Sequence, residues 1–134
     1  MDMIGRIQRF MAQAHDDGDE VSAMSDVSEV LHRHPVHIIF KHSPLCGFSE
    51  RASGDVDRYA TLPDAVPVTV VDVLSQRALS RGIEATTRVR HESPQVLLVC
   101  DGMVRWHASH RGVTTDALTR ATQDAGTMPH PPAA

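Results

Sequence analysis

Residues 38–49 read Ile38-Ile39-Phe40-Lys41-His42-Ser43-Pro44-Leu45-Cys46-Gly47-Phe48-Ser49, an apolar run that stops at a polar turn and then delivers a cysteine. Pro35 to Phe40 is short, apolar and rich in β-branched residues, which predicts a buried strand. Ser43-Pro44 marks a turn, and Glu50, Arg51 and Ala52 continue as helix formers. Cys46 is thereby expected at a helix N-terminus. Unpaired backbone N–H groups and the positive end of the helix dipole favour an anion there, and lower a thiol pKa below its free value of about 8.5. Lys41 and His42, a few residues upstream, carry charge suited to stabilising a thiolate or holding an anionic ligand. Ser49 stands where a redox Cys-x-x-Cys motif has its second thiol. Without that thiol, the chemistry expected of Cys46 is a mixed disulfide with a small thiol rather than a local disulfide. A free cysteine is more often a small buried hydrophobe; the turn, the helix start and the basic neighbours set Cys46 apart from that ordinary role.

Working outward, the helix after Cys46 runs to about Tyr59, Leu62-Pro63-Asp64 is a loop, and Val66 to Val73 is a second β-branched strand. Ser75 is expected to cap a helix reaching about Ala85, with Gly82 a weak point near its end. Two parallel strands joined through a helix make a βαβ unit. Gln95 to Cys100 is then a strand, Asp101-Gly102 a hairpin turn and Met103 to Ala108 the returning strand, so an antiparallel hairpin closes the sheet. Thr114 or Thr115 caps a last helix to about Gln123. Upstream, Met3, Ile4, Ile7, Phe10, Met11 and Ala14 recur at helical spacing, which predicts an amphipathic helix over residues 2–14 before an acidic break. A short strand at about Glu20 to Ala23 and a helix over Asp26 to Arg33, with Ser25 as its N-cap, lead to Pro35. The expected organisation is a helical extension over residues 1–19, one domain over 20–124 and a flexible tail over 125–134.

At 134 residues and 41% hydrophobic content the chain supports one domain with a modest core. A net charge of −4 with scattered Lys and Arg argues against a general nucleic-acid surface. No apolar stretch approaches the roughly 18 residues that span a bilayer, and the N-terminus lacks the basic-then-apolar order of a signal peptide, so a cytoplasmic protein with no membrane partner is expected. Two cysteines are too few for a disulfide scaffold. Cys100 ends an apolar strand and reads as core filling, and Trp106, two residues after Val104, is expected on the same strand face and packed. Nine histidines invite a metal reading, with His32, His34 and His37 close together and His107 three residues before His110. No Cys/His spacing here matches a zinc pattern, so no dedicated metal site is expected.

The element order, a βαβ half followed by ββα with a cysteine after the first long strand, is that of an α/β, thioredoxin-like fold: a mixed central sheet of four or five strands flanked by helices. Such folds place a cis-proline opposite the active cysteine, and Ser93-Pro94 stands where that proline is expected. Three ordered motifs carry a closer resemblance. Phe40-Lys41-His42-Ser43 ahead of Leu45-Cys46, then Val89-Arg90-His91-Glu92-Ser93-Pro94-Gln95, and Asp101-Gly102-Met103-Val104-Arg105-Trp106-His107-Ala108-Ser109-His110 resemble the YtxJ-type bacillithiol-system proteins, the monothiol bacilliredoxins. The similarity spans roughly residues 20–122. It implies a general-stress protein whose Cys46 removes bacillithiol from S-bacillithiolated proteins and takes the low-molecular-weight thiol onto itself, and a monomer or weak homodimer is expected. On that reading Ser93 and Pro94 align the ligand, and Lys41, Arg90 or His91 meets the malate carboxylates of bacillithiol, beside Ser43, Gly47 and Ser49 of the turn. One departure stands out: the family usually has Cys-Pro-Ile-Ser, whereas Cys46-Gly47-Phe48-Ser49 is the signature of monothiol glutaredoxins, some of which hold a [2Fe-2S] cluster between two subunits with a thiol cofactor. The Gly-Gly pattern that follows the glutaredoxin hairpin is absent, which ranks cluster carriage second, ahead of a binding module without redox turnover.

Overall fold

Two apolar strands, Val36–His42 (β2) and Gln95–Cys100 (β4), lie side by side at the centre of the molecule. The computed structural model describes residues 7–9, 20–45 and 47–127. In chain order the elements are β1 (Ile7–Arg9), α1 (Glu20–Leu31), β2, α2 (Gly47–Ala60), β3 (Val68–Asp72), α3 (Arg77–Thr87), β4, β5 (Met103–Ser109) and α4 (Thr115–Thr127), with a 3-10 turn at His110–Gly112 before α4. The strands form one five-stranded sheet in the order β1-β3-β2-β4-β5. β1, β3 and β2 run parallel; β4 and β5 are antiparallel to their neighbours. This is the expected mixed sheet flanked by helices.

Alternation along the strands sorts the core into two halves. Ile38 and Phe40 join Val68, Val70, Val96 and Leu98 under Ala52, Val56 and Tyr59 of α2 and Leu118 of α4. Ile39, Val71, Leu97 and Val99 face Val27, Val30 and Leu31 of α1 and Leu79 and Ile83 of α3. α1 and α3 cross so closely that a Cβ on Gly82 would lie 2.5 Å from Val27 Cγ2, so this glycine marks a packing contact rather than a helix end. On the other face, Thr115 Oγ1 donates to Asp55 Oδ1 at 2.9 Å and bonds Asp55 O at 3.0 Å, tying the start of α4 to the middle of α2. The Tyr59 hydroxyl accepts from Val66 N at 2.8 Å and fixes the loop into β3.

Several local expectations are corrected. Most of the predicted N-terminal helix over residues 2–14 lies outside the described residues, but Ile7–Arg9 is a strand, paired in parallel with Val68–Val70. An edge of β3 with unpaired N–H and C=O groups supplies the partners for an extended segment. The strand expected at Glu20 to Ala23 is the start of α1, which makes Ser25 a helix-interior residue. Its buried residues Val27, Val30 and Leu31 have the spacing of one helical face, and no turn signal separates them from the residues before. Ser75 caps nothing: α3 begins at Arg77, and the Ser75 and Leu74 N–H groups both donate to Asp72 Oδ1, at 3.1 and 2.9 Å. Thr114 is the cap of α4, its Oγ1 accepting from Ala117 N at 3.1 Å. That helix continues through Thr127, so residues 125–127 belong to it rather than to a tail, and Ala125 packs on the core; residues 128–134 lie outside the described residues. The Asp101-Gly102 hairpin turn forms as expected, with φ of 52° and 81°.

A bulge in the hairpin separates Val104 from Trp106. Val99 pairs with Val104 but Leu98 pairs with Trp106, leaving Arg105 as the extra residue. The two side chains therefore go to opposite faces, Val104 toward α1 and α3, Trp106 toward α2 and α4. Both are packed, but not on one face. Among the described residues no helix is long and apolar enough to cross a membrane.

Candidate active site at the carboxyl end of the parallel strands

β2 and β3 end together: His42 pairs with Asp72, and Val73 N donates to His42 O at 3.0 Å. From there β2 leads into Ser43-Pro44-Leu45, with Pro44 and Leu45 exposed, and α2 begins at Gly47. Cys46 lies outside the described residues, but it is bonded to Gly47, the first residue of α2. Ser49 is fully buried, and its Oγ accepts from Ser43 N at 3.2 Å. The residue that replaces a second thiol thus clamps the start of the helix to the end of the strand. Gly47 is exposed, and a Cβ there would meet nothing within 4 Å, so this position is open to an approaching group.

The second wall is the segment entering β4. Ser93-Pro94 is cis, as expected from the sequence. Pro94 is buried, and its carbonyl accepts from His110 N at 2.8 Å. Gln95 Nε2 donates to Arg90 O at 2.9 Å and to Ser109 Oγ at 3.2 Å, which holds the loop against β5. Glu92 meets His110 Nε2 at 3.2 Å, and hydrogen bonds from Ser109 and His110 hold its carboxyl below the usual carboxylate range. Because Lys41 pairs with Gln95 across the β2–β4 ladder, Pro94 comes to the same end of the sheet as His42 and the turn that follows. Ser43, Gly47, Ser49, Ser93 and Pro94 therefore gather at one end. Ser93 Oγ is buried there without a hydrogen-bond partner among the described residues.

Lys41 departs from its expected place. It is fully buried, and its Nζ donates to Ser80 O at 2.9 Å and stands 3.2 Å from His91 Nδ1. Burial lowers its pKa to about 8, with Glu84 acting against the shift. Strand alternation puts it on the side of Ile39, facing α3, so its amine works inside the fold rather than at the ligand surface. His91 is half-buried, its N donates to Glu84 Oε2 at 2.7 Å, and burial together with the Lys41 charge lowers its pKa. Arg90 is exposed. Sequence reasoning missed Ser80 and Glu84. The signal for them was Lys41 itself, since a cation within an apolar strand needs buried acceptors.

The sequence profile of the monothiol bacilliredoxin BrxC family matches residues 19–118, which include the turn, Ser49 and the Ser93-Pro94 loop. The chain belongs to the monothiol bacilliredoxin family. Solved structures agree on the fold. A protein described only provisionally as an oxidoreductase with a thioredoxin fold is 21% identical, with a TM-score of 0.72, covering 91% of this chain and 98% of that one. A mutant thioredoxin from Halobacterium salinarum NRC-1 is 17% identical, with a TM-score of 0.61 and coverage of 98% and 99%. Oxidised mitochondrial thioredoxin 3 from Saccharomyces cerevisiae is 13% identical, with a TM-score of 0.63 and coverage of 92% and 99%. This bacilliredoxin-family chain is a thioredoxin-fold thiol redox protein.

In this bacilliredoxin-family fold the other cysteine is remote from the turn. Cys100 pairs with Val36 at one end of the β2–β4 ladder while Lys41 pairs with Gln95 at the other, ~17 Å away at about 3.3 Å per residue. Cys100 is a buried free thiol whose pKa is pushed up chiefly by burial, the character of a core residue. The histidines make separate contacts: His32 Nδ1 lies 3.0 Å from Ser28 O, His37 Nε2 lies 3.1 Å from Leu31 O, and the His34 and His37 rings meet edge to face at 5.6 Å. Among the described residues no group of three or more His, Cys, Asp or Glu side chains converges to hold a metal ion.

Proposed function

We propose that this protein strips bacillithiol from S-bacillithiolated proteins through a mixed disulfide on Cys46. The observation that carries this reading is the family match across residues 19–118. The Cys46 thiolate attacks the bacillithiol sulfur of a protein mixed disulfide; the new S–S bond joins Cys46 to bacillithiol as the old one breaks, and the target sulfur leaves as a thiolate that takes a proton from solvent. Ser49 supplies no resolving thiol, and its hydroxyl is engaged with Ser43 N. A second, external low-molecular-weight thiolate therefore attacks the adduct, departs as the mixed or symmetrical small disulfide and restores Cys46. The N–H groups at the start of α2 stabilise the attacking thiolate, while Ser93, Pro94 and the exposed Arg90 border the ligand. The setting is a thiol-reducing compartment such as the cytoplasm, with the protein acting as a monomer or weak homodimer.

Intact-mass analysis after exposure to bacillithiol disulfide and, separately, glutathione disulfide tests both reactivity and thiol choice. The expected result is one bacillithiol adduct on Cys46, with glutathione added more slowly. No adduct, or an adduct on Cys100, would overturn the assignment. The Cys46-Gly47-Phe48-Ser49 sequence favours a second reading, a [2Fe-2S] cluster shared by two copies with two thiol cofactors. Each subunit contributes one of the four ligands, so two copies supply two and two thiol cofactors the others, and that state is dimeric. Reconstitution with iron, sulfide and a thiol would give a brown dimer on that reading and a colourless protein on the first.

A further inference from the structure

Residues 90–94 are held from two sides. On the side of α3 and β2, three ties run through His91: its N donates to Glu84 Oε2 at 2.7 Å, and its Nδ1 stands 3.2 Å from both Lys41 Nζ and Ser80 Oγ. On the side of β4 and β5, Gln95 Nε2 donates to Arg90 O at 2.9 Å, His110 N donates to Pro94 O at 2.8 Å, and Glu92 Oε1 meets His110 Nε2 at 3.2 Å. A proton acts on the two sides in opposite ways. An ammonium has donors and no lone pair, so Nδ1 accepts from Lys41 and is unprotonated while that contact stands. A proton on Nδ1 removes the acceptor and leaves two cations 3.2 Å apart. Lys41 is fully buried and its Nζ is also bound to Ser80 O at 2.9 Å, so the half-buried ring, carried on a loop, is the partner that yields. Across the loop, a proton on His110 turns its contact with Glu92 into an ion pair. The charges that face the His91 ring are Lys41 from β2, Glu84 and Arg81 from α3, and Glu92 from the loop itself. Burial and then the Lys41 charge lower the His91 pKa; Arg81 acts with them, Glu84 and Glu92 against them.

We infer that His91 is an acid-sensitive latch: neutral, it fastens the loop to α3 and to Lys41; protonated, it is driven off the Lys41 ammonium, and the loop opens on that side while Pro94 stays docked on His110. The latch needs no bound thiol and no reaction at Cys46, so it stands or falls apart from the proposed exchange. It gives the second wall of the site an acid-opened state. In the opened loop the ring returns to its ordinary pKa of 6.5, above its value in the closed loop, so the opened form takes up the proton first. Opening therefore grows as pH falls below 6.5 and levels off once the closed ring is protonated as well.

The amide protons of His91 and His110 report the two sides separately, by hydrogen exchange of the ¹⁵N-labelled full chain between about pH 7.5 and about pH 5, corrected for intrinsic rates. Protection of His91 N is expected to fall by up to about tenfold per pH unit once the pH is below 6.5, the most that uptake of one proton can give, while protection of His110 N holds. No fall at His91 N, or a parallel fall at both amides, would overturn the latch. A wild-type ring that titrates at 6.5 or above, followed by its carbon-bound proton resonances, would overturn it without any variant. His91→Gln keeps the backbone donor but takes up no proton, and is expected to abolish the fall; a fall that survives there would trace to the Glu84 carboxylate and overturn the role of the ring. In Lys41→Met the ring is expected to titrate at higher pH and the total loss of protection to shrink. An unchanged ring and an unchanged loss would show that Lys41 does not drive the ring out, and the latch would fail.

Discussion

At the scale of single residues, the balance of burial against hydrogen bonding at Lys41 has a consequence for stability. Its pKa is lowered to about 8 in the fold from an ordinary 10.5. Between those values the unfolded chain holds a proton that the folded chain has released, so stability rises with pH across that window. Below pH 8 the cost of burying the charge is carried in full, about 3 kcal/mol at about 1.4 kcal/mol per pH unit. Lys41→Met is therefore expected to be more stable than the wild type at pH 7, and to lose the rise that the wild type shows between pH 8 and 10.5. Urea denaturation of both proteins at pH 7 and pH 9.5 checks this; equal pH dependence would contradict it. Lys41 also marks what sequence could and could not show. Its place in a buried strand was legible from the run Ile38-Ile39-Phe40, but the acceptor that occupies its amine, Ser80 O, lies on another element. The sequence reading sent the amine toward a ligand because an anion near Cys46 was the only partner visible in that stretch. Ser49 shows the opposite case: its position relative to Cys46 was legible, and the structure adds a function, the hydrogen bond to Ser43 N. Ser49→Ala should cost about 1 kcal/mol, the usual worth of such a bond, read as a lowered urea midpoint.

At the scale of elements, periodicity and turn chemistry carried most of the order. The two-residue turn at Asp101-Gly102 and the β-branched runs at Gln95–Cys100 and Val68–Asp72 are local signals, and each element formed close to its expected bounds. Non-local pairing was not legible. Ile7–Arg9 is a strand because β3 offers it an edge, and no pattern within three residues announces that. The bulge at Arg105 has no glycine or proline to mark it, so Val104 and Trp106 read as neighbours on one face when they lie on opposite faces. Gly82 read as a weak point in a helix, whereas the structure makes it the contact that lets α1 and α3 approach. Gly82→Ala gains about 1 kcal/mol in helix propensity but forces a Cβ into Val27, and overpacking of that kind costs about 1–3 kcal/mol. The substitution is expected to destabilise, and Val27→Ala in the same chain to restore part of the loss. A thermal midpoint that rises in the single variant would show that the helices separate freely.

At the scale of the whole molecule, a five-stranded mixed sheet brings two distant segments, the turn at residues 43–45 with the start of α2 and residues 90–95, to one end. The position of Ser93-Pro94 and its cis geometry were legible because the fold order placed them opposite the turn after β2. The layout also puts Cys100 in the core, at the end of the β2–β4 ladder far from residues 43–45. Cys100→Ser is accordingly expected to leave thiol exchange nearly intact.

The central claim, that a single thiol at the start of α2 carries the exchange, is tested most directly by the rate at which the protein releases bacillithiol from a modified target protein in the presence of a reducing thiol. The wild type is expected to accelerate release and to pass through a Cys46 adduct visible by mass, and Cys46→Ser to fall to the uncatalysed rate. Release by Cys46→Ser at the wild-type rate would contradict the account.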